Sequence, residues 1–277
     1  MKTLLCVIHC IAGVLFASVV SAQSLQYPHS PLFIGTGAYS QRFSNLFSFL
    51  SNTAALAMSK GISAGVYSEN KFGLKELNHY TAAVSSPIGG NGGIGIVTTY
   101  AGSKELNESQ IGLAYGKNLG KINIGARFNY TLLRTSGYGS DGAISFELGS
   151  TWKISEKLYT GIQIVNPVGG KFGEESKEKL PSVYSVGAGY ECSEQFYIGV
   201  DIVKEESKPV NLRATLQYII ARRLITMLGI NSGTSSPALC AGWQWKNMRV
   251  LINGSFHPQL GATTGLAIIF FEKMKED

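Results

Sequence analysis

Most of the chain alternates apolar and polar residues with a period of two, which is the pattern of β-strands with one apolar and one polar face. In the clearest segment, Ile122 to Leu132, the apolar and aromatic residues fall on one face, and Asn, Gly, Arg and Thr fall on the other. Similar segments lie at 142–153, 195–204 and 210–220. They are about ten residues long, the length with which a tilted strand crosses a bilayer. The pattern predicts an all-β protein.

Fourteen strands are predicted in this way. They cover residues 60–68, 77–86, 92–101, 107–117, 121–133, 142–153, 157–166, 181–192, 195–204, 210–220, 223–233, 236–246, 247–256 and 259–271.

The connections between these strands distinguish a membrane barrel from a soluble sandwich, which period two alone does not. Longer links, such as Pro167 to Leu180, alternate with short ones, such as Lys246-Asn247. Outer-membrane up-and-down barrels alternate in this way, with both termini on the short-turn side and an even number of strands. The sequence therefore predicts a transmembrane antiparallel up-and-down β-barrel of fourteen strands, with apolar faces toward lipid and polar faces toward the lumen.

The N-terminus carries the pattern of an export signal. Lys2 is followed by an apolar stretch, Leu4 to Val20, and then by the small residues Ser21 and Ala22. This predicts a cleaved signal peptide over 1–22. Residues 23–59 lack the alternation, so we divide the chain into the signal peptide, an N-terminal segment at 23–59 and a barrel at 60–277. The predicted location is the cell outer membrane of a Gram-negative bacterium.

Composition narrows the function classes. The chain is 44% hydrophobic and 15% charged, with 33 glycines among 277 residues, whereas soluble domains are about 25% charged. This excludes intrinsic disorder and argues against a helical enzyme, because glycine destabilises helices. The net charge of +6 comes without a basic block, so no nucleic-acid partner is expected. Cys192 and Cys240 remain after the signal peptide, either as one disulfide or as two unpaired small residues.

No catalytic or metal-binding motif stands out. His29, His79 and His257 lie on separate elements without metal-ligand spacing, and the chain has no Gly-x-Ser-x-Gly motif. We therefore expect a protein that is not an enzyme and that uses no metal or cofactor. Aromatic residues near the predicted strand ends are expected to anchor the barrel at the membrane interfaces. They are Trp152, Trp243, Trp245, Tyr67, Tyr100, Tyr130 and Tyr190.

The region before the first strand contains three short motifs. These are Gly37-Ala38-Tyr39-Ser40, Phe43-Ser44-Asn45 and Asn52-Thr53-Ala54-Ala55-Leu56-Ala57. They resemble the N-terminal region of FadL-like and PorV/PorQ-like outer-membrane proteins, many of them from the Bacteroidota, in which Asn-Pro-Ala-Gly-Leu-Ala leads into the first strand. Thr53 stands here where those families usually have proline, and Ala55 where they have glycine. Fourteen strands also match the barrel size of FadL-like proteins.

The resemblance implies that residues 23–59 fold inside the barrel as a hatch. Physical reasoning agrees, because a barrel of this size is too wide for its own side chains to fill. Asn52 is expected to reach the lumen strands through its amide, and Arg42 to pair with Glu147 or Asp201.

Charged residues on the polar strand faces are candidates for lumen chemistry. Arg127, Glu147, Asp201 and Arg213 either contact a ligand or pair with each other across the lumen. Arg127 and Arg213 are the better ligand candidates. With Arg42 and Asn52, these residues form the predicted ligand or lumen set.

Two functions follow from the resemblance. The first is binding or passage of small hydrophobic molecules across the outer membrane. The alternative is a non-transporting barrel that serves as an accessory of a type IX-like secretion or surface-attachment system. The expected partners are outer-membrane lipid, a hydrophobic small molecule in the first case, and secretion-system proteins in the second.

Overall fold

The computed structural model describes residues 36–172, 180–206, 208–233 and 236–272, so the predicted signal peptide and residues 23–35 lie outside it. Fourteen strands form one closed barrel in which each strand pairs with its sequence neighbours and the last pairs with the first. The strands are β1 (Ser63–Asn70), β2 (Asn78–Ile88), β3 (Gly92–Gly102), β4 (Leu106–Asn118), β5 (Ile122–Thr135), β6 (Gly139–Lys153), β7 (Leu158–Val165), β8 (Val183–Glu191), β9 (Phe196–Glu205), β10 (Asn211–Ile220), β11 (Leu224–Asn231), β12 (Ser236–Trp245), β13 (Met248–His257) and β14 (Gly261–Phe271).

The predicted fold class is confirmed, because all strand pairs are antiparallel and the predicted strands differ from the observed ones only at their ends. Closure leaves no strand edge unpaired, which is what allows a sheet to cross the hydrocarbon core of a membrane. Within the described part of the chain, no helix is long and apolar enough to cross a membrane.

The outer wall of the barrel is apolar, as predicted. On β5, Ile124 and Phe128 are exposed, and 53% of the Phe128 side chain is accessible. Arg127 and Asn129, the two neighbours of Phe128 in the chain, are buried. The same arrangement recurs around the wall, with exposed Ile, Leu, Val and aromatic side chains on most strands. A contiguous apolar surface of this extent is unfavourable in water and matches a lipid environment.

The two ends of the barrel differ in their connections. One end, here called the short-turn end, carries tight links such as 119–121 and 246–247, and β1 begins and β14 ends there. The opposite end, the long-link end, carries 71–77 and 166–182. Two links predicted to be long, Gly102 to Leu106 and Arg134 to Asp141, are short. The flanking strands extend further than predicted and leave only 103–105 and 136–138 between them.

The inner wall is less polar than the alternation predicts. One part of it contributes a buried apolar cluster, in which Ile225, Met227, Leu251 and Ile269 face inward. These strands therefore carry apolar residues on both faces. The inward apolar side chains pack against residues that precede β1, so a second apolar surface exists for them to contact.

Three of the aromatic residues predicted to anchor the barrel lie where that role requires, and Tyr67 does not. Trp243, Trp245 and Tyr190 are exposed on the outer wall close to the short-turn end. Tyr67 is 2% exposed and points into the barrel, where its hydroxyl donates to Glu69 Oε2 at 2.6 Å. The prediction that Tyr67 is a membrane anchor is wrong, because its position in β1 puts it on the inward phase.

The described residues before β1, 36–59, are here called the N-terminal segment. They include a short helix, α1 (Ser48–Ser51), and a 3₁₀-helix (Thr53–Met58). Asn52 lies between them, and its side chain accepts from the Ala54 backbone N–H. Phe47, Phe49 and Leu56 are almost completely buried among inward-facing strand residues. The N-terminal segment therefore lies inside the barrel, while the domain boundaries at 22 and 59 stay predictions.

Candidate functional site

Inward-facing glycines make room for the N-terminal segment. A Cβ on Gly187 would lie 2.1 Å from Tyr39 Cε2, and one on Gly189 would lie 2.1 Å from the Tyr39 carbonyl oxygen. On the other side of the lumen, a Cβ on Gly93 would lie 2.1 Å from the Leu56 carbonyl oxygen. Such distances are impossible without rearrangement. The glycine excess therefore has a packing reason, since these strands are covered on their inner face by backbone from the segment.

Asn52 connects the N-terminal segment to the barrel wall. Its amide nitrogen donates to the carbonyl oxygens of Ser150, at 3.2 Å, and Ile162, at 3.1 Å. The Thr53 backbone N–H donates to Gln163 Oε1 at 3.1 Å. Because each of these groups is buried, leaving one unpaired would cost about 1–3 kcal/mol. The predicted contact of Asn52 with the strands is confirmed.

Gln163 extends this contact to a buried ion pair. Its amide nitrogen donates to Glu147 Oε2 at 2.9 Å, and Asn129 donates to Glu147 Oε1 at 2.9 Å. Glu147 Oε1 also pairs with the guanidinium of Arg127, whose Nε lies 3.0 Å away. A buried pair of this kind adds little net stability, but removing one partner costs about 3–5 kcal/mol. The network thus fixes where the segment sits.

Asp201 and Arg213 form a second, looser pair on neighbouring strands. They are direct partners in the β9–β10 register, and Arg213 Nη2 lies 3.8 Å from Asp201 Oδ2. Together with Tyr39 they line a cavity of about 20 Å³, enough for one water molecule. Burial raises the pKa of the Tyr39 phenol, and the Asp201 carboxylate raises it further. The hydroxyl is therefore protonated and remains a hydrogen-bond donor.

Arg42 lies at the short-turn end, away from these two pairs. Its guanidinium pairs with Glu194, with Nη1 2.9 Å from Oε1, and with Glu191. Glu191 Oε1 also accepts from the Ser40 hydroxyl at 2.6 Å and from the Arg42 backbone N–H at 3.1 Å. The expected pairing of Arg42 with Glu147 or Asp201 is wrong, because both carboxylates are held by arginines from adjacent strands.

The six predicted residues therefore fall into three places. Asn52, Arg127 and Glu147 lie in one hydrogen-bond network. Asp201 and Arg213 form an ion pair elsewhere, and Arg42 is separate from both. The sequence reasoning missed Gln163 and Glu191, which join the segment to the wall. Gln163 is flanked by two isoleucines in β7 and occupies the inward phase, which is the signal that identifies it. As ligand contacts, all six stay predictions.

A cavity of about 330 Å³ lies in the barrel wall where β1, β2, β3 and β14 adjoin. Its lining includes outward-facing Val66, Tyr80 and Leu266 and also inward-facing Tyr67 and Thr81. Small side chains, among them Ala82, leave the space. Because β14, β1, β2 and β3 stay paired through these residues, the cavity is a depression in the outer wall and not an opening through it. No residue of the N-terminal segment lines it.

The described residues contain no group of three or more His, Cys, Asp or Glu side chains that could hold a metal ion. Cys192 and Cys240 are free thiols, so the unpaired alternative is confirmed.

Comparison with known proteins finds similarity at the level of fold. No family model matches the sequence, and no curated protein matches it. The CymD monoaromatic hydrocarbon channel is 12% identical with a TM-score of 0.62, covering 84% of this chain and 94% of its own.

Two further structures have similar values. A Pseudomonas aeruginosa FadL homologue is 10% identical with a TM-score of 0.62, covering 91% of this chain and 98% of its own. The Pseudomonas putida toluene transporter TodX is 11% identical with a TM-score of 0.59, covering 90% of this chain and 98% of its own. At this identity, the likeness shows that the barrel architecture is shared over almost the whole chain.

Proposed function

We propose that the protein is an outer-membrane channel that binds small hydrophobic molecules and passes them through the barrel wall. The observation that carries this proposal is the wall cavity between β1, β2, β3 and β14. Its lining is mostly apolar, and it lies on the outer, lipid-facing side of these paired strands. Local separation of two of these strands would let a hydrophobic molecule pass from the lumen into this cavity and on into lipid. It would then avoid crossing water, which is the step with the highest free-energy cost for such a molecule.

The N-terminal segment supports this route because it occupies the short-turn half of the lumen. Phe43 stacks on Tyr197 with ring centroids 5.3 Å apart, and Phe47 and Leu56 are buried against the inner wall. We propose that residues 23–59 are a hatch that closes the axial path. A molecule that enters from the long-link end then meets the hatch below it and the wall cavity beside it.

Proteins with the same architecture support the substrate class. Their descriptions name a monoaromatic hydrocarbon channel and a toluene transporter. An apolar aromatic molecule of this size fits the proposed route, because the cavity volume of about 330 Å³ lies at the lower end of the range for small-molecule sites.

Substituting Ala82→Trp tests the wall route. An indole at this outward-facing position is expected to fill the cavity and lower toluene uptake severalfold in cells whose only hydrocarbon channel is this protein. The matched control is Ala126→Trp, an exposed alanine on the outer wall of β5 outside the cavity. Equal uptake by both variants and the unsubstituted protein, at equal levels of folded barrel, contradicts the wall route.

One observation favours the alternative of a secretion-system accessory, namely the tight packing of the N-terminal segment against the wall glycines. A barrel with a fixed segment serves as a rigid membrane platform for a partner. Toluene uptake that never rises above that of cells lacking the protein, together with co-purification of secretion-system proteins, would favour the accessory function.

A further inference from the structure

The turns at the short-turn end of the barrel carry an excess of positive charge. They contain five Lys or Arg residues and two Glu residues. Both carboxylates are already paired, because Glu156 binds Lys153 and Glu194 binds Arg42. None of the five cations takes part in an ion pair within the described part of the chain. These cations are Lys121, Lys157, Arg222, Arg223 and Lys246.

Two of these turns, 221–223 and 246–247, are adjacent around the barrel. β11 begins after the first turn and β12 ends before the second, and these two strands are paired. The backbone N–H of Gln244 donates to the carbonyl oxygen of Arg223 at 2.8 Å, which continues the pairing up to the first turn. Like charges on adjacent turns repel each other, and a bound anion would reduce that repulsion. The unpaired cations of these two turns are all exposed, namely Arg222, Arg223 and Lys246.

Aromatic side chains mark the membrane boundary beside these turns. Trp243 and Trp245 in β12 are 51% and 61% exposed, and Tyr218 in β10 is also exposed. Trp and Tyr residues near the strand ends of a membrane barrel lie at the level of the lipid headgroups. The ammonium of Lys246 lies 6.0 Å from the ring centroid of Trp245, so this cation lies close to the same level. These cations and aromatic residues are here called the basic–aromatic patch, which comprises Tyr218, Arg222, Arg223, Trp243, Trp245 and Lys246.

Nearby carboxylates do not neutralise the basic–aromatic patch. Glu194 lies in the adjoining turn, 192–195, and is paired with Arg42. Glu272, which follows β14, forms no ion pair among the described residues. The patch therefore presents unbalanced positive charge at the level where lipid phosphates lie.

Apolar side chains continue the patch toward the middle of the membrane. Leu216, Leu228 and Leu239 are partners in register across β10, β11 and β12. Each of these leucines is exposed on the outer wall. The surface thus has a positive end at headgroup level and an apolar part at acyl-chain level, which is complementary to a phospholipid with a negative headgroup.

We propose that the basic–aromatic patch binds phospholipids that carry a net negative charge, in the leaflet at the short-turn end. The lipid phosphate accepts from Arg222 and Arg223, since a guanidinium matches phosphate oxygens with paired hydrogen bonds. The acyl chains contact the row of leucines. This apolar continuation favours a lipid over a soluble anion. The patch lies on β10 to β12, so the inference does not depend on the wall route between β1, β2, β3 and β14.

Quenching of tryptophan fluorescence by brominated lipids tests the proposal. The full barrel is reconstituted in phosphatidylcholine vesicles, and Trp152→Phe leaves Trp243 and Trp245 as the reporters, since the chain has three Trp residues. Brominated phosphatidylglycerol and brominated phosphatidylcholine are compared at the same mole fraction. The anionic lipid should associate about fivefold more strongly, the value expected for one cation near a lipid surface. This preference should largely disappear in about 0.5 M NaCl, because salt screens exposed charges.

Replacing Arg222→Gln together with Arg223→Gln should lower the preference to below about twofold. The matched control replaces Lys75→Gln together with Lys104→Gln, which removes two exposed cations at the long-link end. This control should keep the full preference. Heat-modifiable migration on gels checks that each variant is folded.

Equal quenching by the two brominated lipids in the unsubstituted patch overturns the proposal. A folded variant that lacks both Arg222 and Arg223 but keeps the full preference also overturns it. If this variant does not fold, the lipid comparison and its salt dependence with the unsubstituted patch decide. Toluene uptake reports on the wall route alone, so the two proposals fail separately.

Discussion

At the scale of single residues, the inner wall contains two kinds of position. Glycines leave space for the N-terminal segment, and polar side chains form hydrogen bonds that hold the segment in place. Gly187 and Gly189 let Tyr39 approach the wall within distances that any larger residue would exclude. Gln163 and Glu147 then fix the segment by hydrogen bonds. The period-two pattern predicts the inward direction of all these residues, but not their partners in the N-terminal segment, because Tyr39 and Thr53 lie more than 100 residues away in the chain.

Gly189→Ala should destabilise the protein by about 1–3 kcal/mol, the usual cost of overpacking a filled interior. The added Cβ would lie 2.1 Å from the Tyr39 carbonyl oxygen, which belongs to the backbone and cannot rotate away. The measurement is the free energy of unfolding from urea titration.

Gly254→Ala is the matched control, because on β13 the nearest atom to the added Cβ is the Thr263 carbonyl oxygen at 3.8 Å. This control should be neutral or slightly stabilising, since alanine restricts the unfolded chain. Equal effects of the two substitutions would show that the segment does not press on the wall.

At the scale of elements, the N-terminal segment is held at three places along its length. Glu191 holds Ser40 and Arg42, the inner wall buries Phe47 and Phe49, and Gln163 holds Thr53. The motifs that resemble FadL-like proteins include Ser40 and Thr53, whereas Arg42 lies between the first two motifs. The resemblance therefore carried information about position inside the barrel that composition and period do not contain.

Deleting residues 36–59 should open a steady ion conductance in planar bilayers, because a fourteen-stranded wall without the segment encloses more space than its side chains fill. The barrel should remain folded, since all fourteen strand pairs lie outside the deletion. Heat-modifiable migration on gels checks folding, and the intact chain in the same bilayer is the control. A folded but silent deletion variant would show that other residues close the lumen.

At the scale of the whole molecule, the barrel differs from a soluble protein in where its apolar side chains lie. They cover the outer surface, while the interior contains both polar and apolar side chains. Closure, strand number and outward direction agree with the sequence prediction, because each depends on local alternation and on link spacing. The apolar part of the interior was not predicted. Ile225 and Met227 interrupt the alternation of apolar and polar residues in β11. They face inward because the apolar side chains of the N-terminal segment pack against this part of the wall.

Leu216→Arg should cost about 2–4 kcal/mol in lipid vesicles, as expected for an arginine near the bilayer midplane. Ile220→Arg, on the same face at the end of β10, should cost only about 0–1 kcal/mol. Leu216 and Ile220 are similarly exposed, 39% and 42%, so only depth in the membrane separates them. Denaturant unfolding measures both, and equal costs would contradict a transmembrane position of β10.

The fourteen strands, their outward apolar faces and the ends at which they turn all follow from the order of residues in the chain. These properties depend on neighbouring residues, which the chain order displays directly. Three features appear only in the folded barrel: Arg42 pairs with Glu191 and Glu194, Tyr67 is buried, and an apolar cavity lies in the outer wall. Such features arise where strands and the N-terminal segment meet across the lumen, and their geometry depends on barrel closure rather than on local sequence.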